Sequence, residues 1–275
     1  MTRSFILIFA LFFPFQAFAA DVTLRVSGSS TVLPLIVDAA KAFKAIRPDI
    51  DITVAGGGSG TGINSALNGI VDIGMTSRRP TDSENKKLSA EYEVIDIATD
   101  AVAVTVSKAV FESGVSQLSI DQVADIYRGK IKNWQDVGGE DKKILVIDKE
   151  LSRGTRHVFA DVILGNAKAR APGASIVSGS NNEERSIISR SDQAIGMLSF
   201  AWLNEQARGI GLALADGETV YPNATNIMKD RYPIQRKLSI IVKKQRIKAL
   251  TLFIDFLTSV DFHSIIEKNG YLPVK

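Results

Sequence analysis

The sequence contains no cysteine and only two histidines among its 275 residues. The absence of cysteine excludes disulfides, thiolate metal ligands and a lipid anchor attached through cysteine. The two histidines, His157 and His263, are about a hundred residues apart, and no set of His, Asp and Glu has the spacing of metal ligands. We therefore expect a protein with neither a metal centre nor a cofactor.

Long apolar runs are also missing, and the apolar stretch at residues 5–13 is too short to span a bilayer. It follows Arg3 and precedes Ala17-Phe18-Ala19, a pattern typical of a signal peptide and its cleavage site. We expect residues 1–19 to be removed on export. The mature chain is then a periplasmic protein that is not embedded in the membrane.

A strong charge of either sign is absent as well. The formal net charge is +3, and the loss of Arg3 with the signal peptide lowers it by one, to +2. Charges of both signs are mixed along the chain, whereas nucleic-acid binding needs a clustered basic stripe. We therefore expect no nucleic-acid partner.

The remaining chain alternates between strand and helix patterns. Amphipathic helical stretches separate apolar, β-branched stretches, the first three of which lie at residues 22–26, 50–54 and 71–75. This alternation predicts an α/β fold with a mainly parallel sheet.

Two later apolar stretches, 101–106 and 238–242, are candidates for crossings between lobes. Two crossings favour a hinged, two-lobed protein over two separate domains in series. The predicted division after the signal peptide is lobe 1 from residues 20–101 and 240–275, and lobe 2 from residues 102–239.

Two runs rich in Gly and Ser, 27–34 and 56–62, lie where a predicted strand turns into a helix. Such a turn offers free backbone N–H groups and the positive end of a helix dipole, and both suit an anion. The runs add hydroxyl donors at Ser30, Thr31, Ser59 and Thr61. We predict that both turns close on one small oxyanion. The alternative for either run alone is that Gly and Ser only cap a helix.

Two segments that contain arginine extend this set of donors. Ser77 and Arg78 follow the strand at 71–75, and Arg153 precedes a helix that opens at Gly154 and Thr155. An arginine at such a position can hold an oxyanion with two parallel hydrogen bonds. The alternative is that these arginines are solvated surface charges.

Motifs of nucleotide-binding proteins and hydrolases fail on spacing around the glycine-rich run. A dinucleotide motif G-x-G-x-x-G would end on Thr61 or Ile63, and a P-loop would need Lys after Gly62. A nucleophile elbow centred on Ser59 would need glycine at position 61. We therefore do not expect an enzyme.

Four motifs occur in one order along the chain: G-S-S-T-V-L-P (28–34), G-G-G-S-G-T-G (56–62), V-D-I-G-M-T-S-R (71–78) and S-R-G-T-R (152–156). With A-I-G-M-L (194–198) and Y-P-I (232–234), this set resembles the phosphate-binding receptors of bacterial phosphate ABC transporters. The resemblance covers essentially the whole mature chain. It implies a type II periplasmic-binding-protein fold with two lobes that close on the ligand.

The resemblance also implies ligand contacts, and two positions depart from the family pattern. Ser30, Thr31 and Ser59 would bind from one lobe, and Gly154 and Thr155 from the other. Where the best-known receptors have an Asp that accepts the proton of hydrogen phosphate, this chain has Arg78, which has no acceptor. Where they have Arg and Ser, it has Lys149 and Arg153.

Together these observations predict a monomeric periplasmic receptor that captures inorganic phosphate and delivers it to an inner-membrane ABC permease. The predicted ligand-binding residues are Ser30, Thr31, Ser59, Ser77, Arg78, Arg153, Gly154 and Thr155. One alternative keeps the fold but changes the ligand to sulfate, molybdate or a phosphonate. Another is an envelope sensor or interaction protein with a degraded site.

Overall fold

The structure is a computed structural model that describes residues 22–88 and 90–274, so the predicted signal peptide lies outside the described residues. Strands and helices alternate through most of this part of the chain. In chain order they are β1 (Val22–Ser29), α1 (Leu33–Ile46), β2 (Ile50–Gly57), α2 (Ser59–Leu67), β3 (Ile73–Thr76), α3 (Asp82–Leu88), β4 (Tyr92–Ser107), α4 (Lys108–Glu112), β5 (Gln117–Ser119), α5 (Ile120–Tyr127), β6 (Leu145–Lys149), α6 (Gly154–Leu164), β7 (Ile176–Ser178), α7 (Asn181–Arg190), β8 (Ala194–Ser199), β9 (Ala207–Gly209), β10 (Gly211–Ala213), β11 (Thr219–Val220), α8 (Ala224–Met228), β12 (Gln235–Lys243), α9 (Lys248–Leu257) and α10 (Asp261–Lys268).

The main sheet has the strand order β2-β1-β3-β12-β4-β8-β6-β7, with β9 paired to β4. At one end β1 is parallel to β2 and β3, and at the other β6 is parallel to β7 and β8. Strands β4 and β12 are antiparallel to each other and to their outer neighbours. The predicted α/β fold is confirmed, and each end of the sheet is parallel as expected.

Strand β4 is a single 16-residue strand that runs through both halves of the sheet. Its first part pairs with β12, whereas residues from Val102 to Val106 pair with β8. The sequence suggested a short strand at 94–97 followed by a separate crossing at 101–106. Both belong to one strand. The polar pair Thr99 and Asp100 between them is buried, so it does not interrupt β4.

Two large apolar cores divide the length of β4 between them, one at its start and one at its end. One is built from residues between Leu24 and Ala98 and between Leu238 and Tyr271, and the other from residues between Ala101 and Ile234. The chain therefore passes from one core to the other once on β4 and returns once at the start of β12. The prediction of two lobes joined by two crossings is confirmed.

Within residues 22–88 and 90–274 no single helix is long and apolar enough to cross a membrane. Helices α9 and α10 meet that test only as a pair, and the pair is bent by 64°. Their apolar side chains, such as Phe253 and Phe262, lie in the first of the two cores.

Candidate anion-binding site

Four helices begin around one small cavity between the lobes. Its volume is about 10 Å³, about that of a single water-sized sphere. Its lining comes from the turns that lead into α1, α2, α6 and α7: Ser29, Ser30, Thr31, Gly58, Ser59, Lys149, Arg153, Gly154, Thr155, Gly179 and Asn181. The first N–H groups of a helix have no intrahelical acceptor and carry the positive end of its dipole. Four such ends make the cavity attractive to an anion.

Two glycines allow the first lobe to build its side of the cavity. A Cβ on Gly28 or on Gly62 would lie 2.3 Å from the carbonyl oxygen of Met75. The φ angle of Gly28 is also +138°, a conformation that side chains other than glycine rarely adopt. The close approach of these two glycines packs the start of α2 against β1 and β3. It thereby brings the turns at Thr31 and Ser59 to the same edge of the sheet.

The two lobes touch directly at the cavity. The N–H of Gly60 donates to the carbonyl oxygen of Ser152 at 3.2 Å. A Cβ on Gly58 would lie 2.7 Å from that same oxygen, and one on Gly154 would lie 2.3 Å from Ser59 Oγ. These contacts join residues of the two lobes that are far apart in sequence. The cleft between the lobes is therefore closed.

Hydroxyl groups from both lobes meet inside this closed cleft. Thr31 Oγ1 lies 3.4 Å from Thr155 Oγ1, and Asn181 Nδ2 donates to Thr31 Oγ1 at 3.1 Å. All three residues are almost fully buried. Hydrogen bonds are electrostatically stronger in such a water-poor setting.

A cluster of three serines lies on the lobe 1 side. Ser59 Oγ accepts from the N–H of Ser77 at 2.9 Å and lies 3.2 Å from Ser77 Oγ. Ser29 Oγ donates to Ser77 Oγ at 3.0 Å and accepts from the N–H of Thr31 at 3.3 Å. Ser29 and Ser59 line the cavity, whereas Ser77 lies behind them and fixes their position.

Lys149 places a cation in the wall of the cavity. Its ammonium group pairs with the carboxylate of Glu184 and donates to the carbonyl oxygen of Ser180 at 3.3 Å. Burial lowers the pKa of Lys149 and raises that of Glu184, while the ion pair acts against both shifts. Glu184 is further held by Ser178 Oγ at 2.9 Å.

Arg153 is the second cation of the lining, at the junction of the lobes. Its Nε donates to Glu150 Oε2 at 2.8 Å, and its Nη1 donates to the carbonyl oxygen of Gly57 in the opposite lobe. The side chain is 19% exposed. Its Nη2 also pairs with Glu150 Oε2 at 2.6 Å, so Arg153 lines the cavity at its rim with its guanidinium held by partners from both lobes.

Arg78, which the sequence predicted as a ligand residue, does not line the small cavity. Its Nη1 and Nη2 donate to the two carboxylate oxygens of Glu84 at 2.7 and 2.8 Å. Burial alone would raise the pKa of Glu84, but the hydrogen bonds from Arg78 and Thr81 outweigh it and lower the pKa to about 2. Arg78 instead borders a larger cavity of about 490 Å³, together with His157 and Lys237.

Six of the eight predicted ligand residues line the small cavity: Ser30, Thr31, Ser59, Arg153, Gly154 and Thr155. Ser77 lies directly behind it and Arg78 beyond. Their contact with a ligand stays a prediction.

The predicted set lacked Asn181 and, beside the cavity, Arg236, as well as four further residues of the lining: Ser29, Gly58, Lys149 and Gly179. Asn181 is the first residue of α7, and Ser180 Oγ caps this helix by accepting from the N–H of Glu183. Within the described residues, Asn181 Oδ1 is buried without a hydrogen-bond partner. The turn at 178–182 has the same Gly- and Ser-rich character as the predicted ones, and this signal could have identified it. Arg236, whose Nη1 donates to Thr155 Oγ1 at 3.0 Å, has no such signal.

Two α/β lobes joined by two strands, with an anion-accepting cavity where they meet, define a ligand-binding protein of the type II periplasmic class. The family model described as PBP superfamily domain matches residues 16–261. Among curated relatives, the phosphate-binding protein PstS of Bacillus subtilis is 34% identical over 258 residues, which cover 93% of this chain and 82% of the relative. PstS of Borreliella burgdorferi is 30% identical, covering 91% of this chain and 89% of the relative. The chain belongs to the PBP superfamily and, within it, to the family of PstS phosphate-binding proteins.

Solved structures give the same assignment of fold. A Clostridium perfringens protein assigned as a phosphate ABC transporter substrate-binding protein, with bound phosphate, superposes with a TM-score of 0.84 at 30% identity. The comparison covers 92% of this chain and 100% of the other. An ABC-type phosphate transport receptor from Vibrio cholerae gives a TM-score of 0.74 at 30% identity, covering 91% and 100%.

Proposed function

We propose that this protein captures inorganic phosphate between its two lobes and delivers it to an ABC permease. The observation that carries the proposal is the convergence of four helix N-termini on one buried cavity whose side chains are hydroxyls, an amide and two cations. The names of the relatives, which are phosphate-binding proteins, support the same ligand. The relatives are transport binding proteins, and this chain likewise binds its ligand without breaking a bond.

Capture is a closure of the lobes on the anion. In the closed cleft the hydroxyls of Thr31 and Thr155 face each other at 3.4 Å. At this distance both hydroxyls can donate to one oxygen of a tetrahedral oxyanion, which replaces the neutral contact with charge-assisted hydrogen bonds that are shorter and about twice as strong. The lobes that close are residues 20–101 with 240–275 and residues 102–239, as the sequence predicts. The two cores change over close to these boundaries.

The ligand-binding set extends the predicted one. Thr31, Ser59 and the backbone N–H groups of Gly154 and Thr155 bind the oxygens of the anion, with Ser30 beside them. Arg153 and Lys149 supply the positive charge. Asn181 and Ser29 complete the lining.

The protein works in the periplasm as a monomer, after removal of the signal peptide at residues 1–19. Its partner is the inner-membrane permease. Export of this kind fits a protein that scavenges a scarce anion before it reaches the membrane.

A second candidate function is reception of a different tetrahedral oxyanion, such as sulfate or molybdate. The observation that favours it is that no carboxylate is among the described residues of the cavity lining. A carboxylate would repel a fully ionised anion and accept the proton of hydrogen phosphate. The lining therefore does not distinguish hydrogen phosphate from a fully ionised anion by means of a carboxylate.

Calorimetric titration of the ligand-stripped mature protein with phosphate, then with sulfate and molybdate, tests the proposal. We expect saturable phosphate binding at micromolar or tighter, about −8 kcal/mol or better. Preferential binding of sulfate or molybdate would replace phosphate by the second candidate. Silence toward all three anions would contradict both functions.

A matched pair of variants ties the binding to the cavity. Thr155→Val removes a hydroxyl from the lining, and we expect about a tenfold loss of phosphate affinity, the value of one hydrogen bond to a charged group. Thr105→Val is the control, because Thr105 is equally buried but its Oγ1 donates to the carbonyl oxygen of Ala103 on β4. Equal affinities of the two variants would place the ligand elsewhere.

A further inference from the structure

A buried ion pair lies where the chain passes between the lobes. Asp100 on β4 and Arg236 on β12 are directly opposite each other in the antiparallel register. Arg236 Nε and Nη2 donate to Asp100 Oδ2 at 2.9 and 2.7 Å, and their side chains are 2% and 0% exposed. Ser199 Oγ donates to the other carboxylate oxygen at 2.9 Å. The guanidinium is thus fixed to the two hinge strands.

The free end of the same guanidinium reaches the hydroxyl groups of both lobes. Arg236 Nη1 donates to Thr155 Oγ1 at 3.0 Å, at the start of α6. It also lies 3.4 Å from both Ser77 Oγ and the carbonyl oxygen of Ser77, just after β3. One side chain on the hinge therefore contacts a residue of each side of the cleft.

These contacts decide how the hydroxyls are oriented. A guanidinium can only donate hydrogen bonds, so Thr155 Oγ1 must accept from it. The hydrogen of Thr155 is then free to point toward Thr31 Oγ1 or toward an anion between the lobes. Without this neighbour the hydroxyl could rotate and donate to another acceptor, so its hydrogen would no longer be held toward Thr31 or the anion.

We propose that Arg236 is a positioning residue that couples the hinge to anion capture. Held by Asp100, it lies beside Ser77 at the end of the neighbouring strand β3 and orients the hydroxyl of Thr155 when the lobes are closed, so that closure and the donor set form together. This inference rests on the proposed function, because the effect is read through phosphate binding. Arg236 does not line the cavity, and it acts through its neighbours.

Substitution of Asp100 distinguishes a positioning role of Arg236 from a purely electrostatic effect on anion binding. Removal of a buried negative charge near an anion site strengthens anion binding if only the field matters. The positioning role predicts the opposite sign, because Asp100→Asn loosens the guanidinium. We expect Asp100→Asn to weaken phosphate binding by about tenfold.

The control for this variant is Asp148→Asn. Asp148 also pairs with a buried arginine, since Arg156 Nε lies 3.2 Å from Asp148 Oδ1. The guanidinium of Arg156 donates to the backbone oxygens of Ala167 and Ala169, within lobe 2, and not to a residue of the cavity. We expect Asp148→Asn to bind phosphate as tightly as the wild type or more tightly, even where its unfolding midpoint falls.

Arg236→Lys decides the matter should Asp100→Asn fail to fold. A lysine keeps the positive charge and can still pair with Asp100, but it lacks the fork that reaches Thr155 at the same time. We expect a thermal midpoint near that of the wild type and about a tenfold loss of phosphate affinity.

Titrations of wild type and the three variants with phosphate, each with a thermal unfolding curve, complete the test. Wild-type affinity for Arg236→Lys, or tighter binding by folded Asp100→Asn, overturns the positioning role while the receptor function stands. A wild type that does not bind phosphate refutes the proposed function itself, and the inference with it.

Discussion

Substitution of Gly58 by alanine is expected to impair ligand capture without harming the fold. Gly58 precedes α2 with φ −129° and ψ 168°, an extended conformation that alanine adopts freely. Its added Cβ would lie 2.7 Å from the carbonyl oxygen and 3.1 Å from the carbonyl carbon of Ser152, on the facing lobe. Both are backbone atoms, so the clash is relieved only when the lobes move apart.

The size of the effect follows from this clash. Forcing one methyl group into a well-packed contact costs about 1–3 kcal/mol. Separation of the lobes also weakens the 3.2 Å hydrogen bond from the N–H of Gly60 to Ser152. Since the cost falls on the closed form alone, the phosphate dissociation constant should rise by about 5- to 150-fold. The anion-free protein can open, so its unfolding free energy should stay within about 1 kcal/mol of wild type.

Calorimetric titration with phosphate and urea unfolding without phosphate measure the two quantities separately. Gly56→Ala is the matched control, since a Cβ there would meet only the side chain of Leu33, at 3.4 Å, within the same lobe. Wild-type affinity for Gly58→Ala would refute the closed contact between Gly58 and Ser152. An equal loss in Gly56→Ala would mean that the run itself, and not closure, is being perturbed.

Three further predictions follow from the charged and polar groups around the cleft. Because the folded pKa of Glu84 is about 2 against an ordinary 4.5, its pairing with Arg78 stabilises the fold fully above pH 4.5 and is lost as the pH falls toward 2. This contribution to the unfolding free energy is at most about 3 kcal/mol. In urea unfolding between pH 6 and pH 3, the unfolding free energy of Glu84→Gln should therefore fall less steeply with decreasing pH than that of the wild type. Arg78→Ala should lower the unfolding free energy by about 3 kcal/mol, because it leaves the buried Glu84 without its partner. It should raise the phosphate dissociation constant less than Arg153→Ala does. A larger rise for Arg78→Ala would mean that Arg78 contacts the ligand. Asn181→Asp should weaken phosphate binding by at least about tenfold through charge repulsion. Its midpoint of urea unfolding should hardly change, because an acidic residue suits the first turn of a helix. Unchanged phosphate binding would mean that Asn181 does not contact the ligand.

The turns of the site could be predicted from the sequence because the cause is local. A strand followed by a Gly- and Ser-rich turn and a helix leaves free N–H groups whatever the rest of the chain does. Parallel strands then bring their carboxyl ends to one edge, which is how Thr31 and Ser59 meet. The turn into α7 obeys the same logic, but Ser180 starts that helix earlier than its apolar pattern does.

The direction of side chains could not be predicted in the same way. Arg78 follows β3 as expected, yet both terminal nitrogens of its guanidinium donate to the carboxylate of Glu84, six residues further on. Arg236 and Asp100 are 136 residues apart in sequence. Their pairing depends on the register of two antiparallel strands, which is set by packing of the whole sheet.

A crystal structure of the stripped protein after addition of phosphate would show where the anion binds. We expect tetrahedral density between the lobes, with oxygens about 2.7–2.9 Å from the N–H groups of Gly154 and Thr155 and near Thr31 and Ser59. Density in the larger cavity beside Arg78 and His157, with the small cavity unchanged, would mean that phosphate is not captured between the four helix N-termini.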